Sequence, residues 1–77
     1  MPSVHQVVFS YQTHLANRTV AEAVNETVAQ FLISPADILG AFDAAELKAN
    51  LSPEEAATLH EQRSDLVDYL NGQEGNG

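Results

Sequence analysis

No cysteine occurs in this 77-residue chain, so disulfides and thiolate metal sites are excluded. A cysteine-free sequence fits a reducing compartment. Cations are nearly as scarce. Three Lys and Arg stand against 11 Asp and Glu, a formal net charge of −8. Nucleic-acid affinity comes largely from cations that neutralise phosphate, so direct nucleic-acid binding is not expected. Anionic membrane is disfavoured on the same ground. No apolar run approaches the ~20 residues that a bilayer-spanning helix needs. The opening Met1-Pro2-Ser3-Val4-His5-Gln6 lacks the basic region and long apolar stretch of a signal peptide, which points to the cytoplasm. Glycine is confined to Gly40 and to Gly72, Gly75 and Gly77, so no glycine-rich phosphate loop precedes a helix.

What remains is enough for a small fold. The length implies one domain, expected over residues 1–72, with a Gly-rich disordered tail at 73–77. The hydrophobic fraction of 44% is ordinary for a globular chain. A chain this short buries a modest share of its surface, so partner binding or oligomerisation is a natural extra source of stability. The charge is uneven. Residues 1–36 carry Glu22 and Glu26 against Arg18, a net of −1. Residues 37–77 carry nine acids against Lys48 and Arg63, a net of −7.

The patterning predicts a mainly α, small α+β fold: one N-terminal strand, then three or four helices, the last the longest. Val4 to Tyr11 is rich in β-formers and reads as the strand, with Val7, Phe9 and Tyr11 on one side. Thr13 to Arg18 reads as a polar loop. Thr19 is a helix N-cap with Glu22 as its capping-box partner. The helix that follows, to about Ile33, places Val20, Val24, Thr27, Val28 and Phe31 on one face. Ser34-Pro35 stops it and starts another, with Asp37 in the new first turn. That segment reads as a short helix over Ala36–Phe42 with Asp43 capping a further turn or two through Lys48, or as one helix running through Asp43. Ser52-Pro53-Glu54-Glu55 is the clearest start signal, with Ser52 as N-cap and Glu55 as its partner. This last helix is expected to reach about Leu70, where Asn71-Gly72 supplies the stop.

The last helix divides into two faces. Glu54, Glu61, Asp65 and Asp68 fall within about 60° of one another on a helical wheel. Ala56, Leu59, Leu66, Val67 and Leu70 fall on the other side. The plain reading is an amphipathic helix with a solvated outer face. The functional reading is an acidic rail that docks on a basic protein surface, made more pointed because stacked like charges cost helix stability. Arg63 sits near the middle of the apolar face. Either its stem packs while its head finds a carboxylate, or that end of the face lies in a protein interface, where arginine is enriched. A lone strand cannot satisfy its own backbone groups, so Val7, Phe9 and Tyr11 become candidates for pairing with another chain, including a homodimer through the strand.

Catalytic signals are missing. His5, His14 and His60 share no metal-ligand spacing, no nucleophile is marked beside a base, and carboxylates on an exposed helix have no pocket to shift their pKa. No enzyme activity, metal or cofactor is expected. The strand–helix–helix order over residues 4–42 resembles that of ribbon–helix–helix dimers, whose paired strands enter the major groove. This strand carries no Lys or Arg, so the resemblance of order implies a dimer without the DNA-binding role. The leading expectation is a small acidic protein-binding regulator or inhibitor that occupies a basic surface on a larger, nucleic-acid-handling protein, of the phage or mobile-element modulator type. The alternatives are an antitoxin-like or repressor-like dimer joined through the strand, and a structural subunit of a larger assembly.

Overall fold

The computed structural model describes residues 2–47 and 50–75. Among them are four helices and no strand: α1 (Val4–Leu15), α2 (Val20–Phe31), α3 (Pro35–Glu46) and α4 (Pro53–Gly75). The fold is mainly α, as the patterning predicts, with the 23-residue α4 the longest element.

The expected N-terminal strand is a helix. Its start is set by Ser3, whose hydroxyl accepts from the Gln6 backbone N–H at 3.1 Å while the Gln6 side chain accepts from the Ser3 N–H at 3.0 Å. This reciprocal box satisfies two donors that a helix start otherwise leaves open. Val4, Val7, Val8, Tyr11 and Leu15 then recur at helical spacing, and Val7, Val8 and Tyr11 are buried. The β-preference of valine is a weak, context-dependent bias, and packing of this stripe overrides it. The consequence for the expected binding face is direct. Val7 and Tyr11 point into the core, whereas Phe9 lies two residues off the stripe and is 66% exposed. The three do not form one surface. There is no unpaired strand edge here, so a homodimer through the strand and the ribbon–helix–helix order both lose their basis.

α2 begins as its sequence implies. The Thr19 hydroxyl accepts from the Glu22 N–H at 3.2 Å, and the Glu22 carboxylate accepts from the Thr19 N–H at 3.4 Å. Ala23, Val24 and Thr27 are buried, and the Thr27 hydroxyl is satisfied by the Ala23 carbonyl at 2.8 Å. The helix ends where Leu32 turns left-handed, at φ 55°.

α3 starts at Pro35, with the Asp37 carboxylate accepting from the Ser34 N–H at 3.0 Å. It runs unbroken to Glu46, so Asp43 is an interior residue rather than a second cap. The reason is the continuous stripe Ile38, Ala41, Phe42 and Ala45, all buried, which leaves no place for a break at residue 43. Lys48 lies outside the described residues. α2 and α3 meet at a bend of 95°.

α4 starts as expected: the Ser52 hydroxyl accepts from the Glu55 N–H at 3.1 Å, and Pro53 is the first helical residue. It does not stop at Asn71-Gly72. The helix continues to Gly75, and no described glycine has positive φ. Residues 73–75 continue the helix, and residues 76–77 lie outside the described residues. A glycine within a helix costs about 1 kcal/mol relative to alanine, which weakens a helix without ending it.

The core gathers the inner faces of all four helices. Tyr11, Phe42, Ile38, Leu66 and Val24 are its largest fully buried apolar side chains, and the Tyr11 and Phe42 rings meet edge to face at 5.4 Å. α1 packs on α2 and α3, and α4 packs on α3 and touches α2. Among the described residues the α1 and α4 backbones do not come close to each other. A side-chain bridge, Gln12 Nε2 donating to Gln62 Oε1 at 2.8 Å, spans the space between them.

Candidate functional site

α4 presents its acidic residues as the helical wheel predicts. Leu59 and Leu66 are buried and fix the orientation of the helix, and Glu54, Glu61, Asp65 and Asp68 are all exposed on the side turned away from them. The four carboxylates therefore share one edge of a rigid element. The described arginines are committed elsewhere. Arg18 approaches Glu26 at 3.9 Å, and the Arg63 Nε donates to the Asp43 carboxylate. His60 approaches Glu46 at 3.8 Å. Among the described residues no cation pairs with a member of the rail.

Arg63 is thus accounted for within the chain. Its side chain is partly buried and its head reaches Asp43, which ties α4 to α3. Asp43 is exposed and Arg63 keeps about a third of its side chain in solvent, which limits such a pair to roughly 0–1 kcal/mol. The apolar face also differs in detail from the expected one. Ala56 is exposed, whereas Gln62 and Tyr69 turn partly inward and Tyr69 joins the core margin.

Beside the rail lies a groove that the sequence did not suggest. It measures about 760 Å³ and runs between α1 and the first half of α4. Val4, Val8, Ala45, Leu51 and Leu59 make its apolar surface, and Glu54, Glu55 and Thr58 stand along the α4 wall. The groove exists because α1 and α4 both rest on α3 without closing on each other. Its signal was present in Val4 and Val8, four apart, and in Leu51 and Leu59, eight apart. Those spacings point to one site only if residues 4–11 are helical.

Burial and the rail also affect the core. The Tyr11 hydroxyl is pushed up to about 12, first by burial and second by the negative charge of Asp65. Among the described residues no three His, Asp or Glu side chains group so as to hold a metal ion. No single described helix is long and apolar enough to cross a membrane. What the arrangement can do chemically is attract and align positive charge. Four like charges on one edge produce a one-sign field that steers oppositely charged partners and weakens with salt. Compared with protein-family models, curated proteins and solved structures, the chain matches none.

Proposed function

We propose that this chain is a small, non-enzymatic regulator or inhibitor, acting in the cytoplasm, that binds a basic surface on a larger, nucleic-acid-handling protein in the manner of a phage or mobile-element modulator. The observation that carries this reading is the exposed row Glu54, Glu61, Asp65 and Asp68 on α4, with which no described cation pairs. Like charges three and four residues apart destabilise a helix by a few tenths of a kcal/mol per pair. No described cation offsets that cost within the chain, and a cationic partner would. A surface that binds phosphate is cationic, which makes nucleic-acid-handling proteins the natural class of target.

The test replaces Glu61, Asp65 and Asp68 with Gln, Asn and Asn. Shape and helix length are kept, and stability should stay within about 0.5 kcal/mol or rise slightly. Affinity capture from source-cell lysate should retain a basic protein with the wild-type chain at low salt, lose it at high salt, and lose most of it with the triple variant. The control is Glu22→Gln with Glu26→Gln on α2, which keeps a capping residue at position 22 and leaves α4 untouched. Equal capture by the triple variant at low salt would reduce the rail to a solvated face.

A further inference from the structure

The first halves of α1 and α4 stand apart because both pack on α3, and the groove of about 760 Å³ lies between them. Its form decides what kind of occupant fits. The groove is about half open to solvent, and Val4 on its rim keeps 39% exposure. It therefore receives side chains presented from outside more readily than it encloses a small molecule. On α1 it extends from Val4 to Gln12, eight residues or ~12 Å, about two turns of a facing helix. An extended segment laid between two helices would leave its own backbone groups unpaired, whereas a helix satisfies its own.

Its charge decides the rest. Glu54 and Glu55 stand in the α4 wall. At ~100° per residue Glu54, Glu61 and Asp65 all project within about 60° of Thr58, a lining residue, so the rail continues the groove's edge along the helix. The described arginines are turned to Asp43 and Glu26. A second copy of this chain is a poor occupant, since each copy carries a net charge of −8.

We propose that the groove is the docking slot for a short cationic amphipathic helix of the partner protein. Two apolar side chains three or four positions apart seat against Val8, Leu51 and Leu59, and flanking Lys or Arg side chains meet Glu54, Glu55 and Glu61. This rests on the reading of the acidic face as the recognition surface and specifies the shape of what it recognises.

The full chain is used to select from a display library of peptides long enough for about three helical turns, roughly 11 residues. Enriched peptides should carry two apolar residues at i and i+3 or i+4 among Lys and Arg. Thr58→Trp fills the groove without changing charge at an exposed position. It should weaken these peptides about tenfold or more, as loss of a central anchor does. Circular dichroism checks that this variant folds. An independent readout needs no variant: the methyl resonances of Val8, Leu51 and Leu59 in the wild-type chain should shift on peptide addition. Peptides weakened by the triple rail variant, yet indifferent to Thr58→Trp and without effect on those methyls, overturn the groove and leave the acidic-surface reading standing. Peptides indifferent to both variants, or no enrichment of cationic sequences at all, overturn both.

Discussion

Tyr11→Phe isolates one atom in the middle of the core. The Tyr11 side chain is fully buried, its ring rests edge-on against Phe42 at 5.4 Å, and its hydroxyl has no hydrogen-bond partner among the described residues. Phenylalanine keeps the ring, the edge contact and nearly all the volume. A buried hydroxyl without a partner costs roughly 1–3 kcal/mol, so its removal should stabilise the fold by about 1 kcal/mol near pH 7. For a chain of this size that is a rise in melting temperature of roughly 4–8 °C. The alkaline range supplies a second, independent signature. The folded-state pKa is pushed up to about 12 from 10.0, by burial first and Asp65 second. Below pH 10 both states hold the proton and stability is unaffected. Between 10 and 12 the unfolded chain releases it while the folded chain retains it, so the wild type loses stability as pH rises through that window. A shift of that size corresponds to about 2–3 kcal/mol. The phenylalanine variant has no such loss, so its advantage should widen with pH. Urea unfolding of both proteins, followed by circular dichroism at neutral pH and again above pH 10, measures that difference. Destabilisation by 1 kcal/mol or more at neutral pH would mean that the hydroxyl makes a bond after all. Parallel pH curves would mean that it titrates as it does in the unfolded chain.

Ser52→Ala should lower stability by about 1 kcal/mol through loss of the α4 N-cap, and an unchanged melting midpoint would show that the bond to the Glu55 N–H contributes nothing. Val8→Pro falls inside α1, where it removes a backbone donor and collides with the preceding turn at a cost of ~3 kcal/mol or more, so circular dichroism should report global unfolding rather than loss of assembly alone. Leu32→Gly should raise stability by about 0.5–1 kcal/mol, because the left-handed backbone there burdens a side chain that is 90% exposed and packs on little. A lower melting temperature for that variant would place Leu32 in a stabilising contact instead.

The helix starts were legible because each is written in a few adjacent residues. Thr19 with Glu22 and Ser52 with Pro53 form the caps that their spacing implies, and at Ser34-Pro35 the Asp37 carboxylate supplies the bond that marks the start. Ser3 with Gln6 is the same device, yet residues 4–11 read as strand because Val4, Val7, Val8, Phe9 and Tyr11 also suit a pleated surface. What decides between the two is tertiary. Tyr11 finds Phe42 31 positions away, and only a helix turns Val7, Val8 and Tyr11 to the same side. The end of α4 was misplaced for a related reason: Asn71-Gly72 is a stop signal only when the glycine turns left-handed, and here it does not. The rail followed from spacing alone, since exposure on a helix is periodic. Arg63 is partly buried, and its partner, Asp43, lies on another helix, so no local pattern links the two. The groove depends on how α1 and α4 are held by α3, a relation between three elements that no segment of sequence carries by itself.

The division of labour among the helices makes the acidic face separable from the fold. Only Leu59 and Leu66 of α4 are fully committed to the core, with Tyr69 and Leu70 at its margin, whereas α1, α2 and α3 supply every other buried residue described. α4 has 23 residues and so a length of ~35 Å, nearly the 38 Å longest extent of the whole molecule. Most of that length meets solvent. Hydrophobic stabilisation scales with apolar area removed from water, so the outer side of α4 contributes little to it, and its composition is free to answer to something other than folding. A solubilising role requires only net charge, in any arrangement. Instead four acids occupy one edge, where their mutual repulsion is felt, next to an apolar groove whose α4 wall begins with a member of the same row, Glu54. Charge alone gives attraction without register, and an apolar groove alone gives affinity without selection. Set side by side on one helix, they would together favour a partner that is cationic and apolar at matching spacing, which is the reading proposed above.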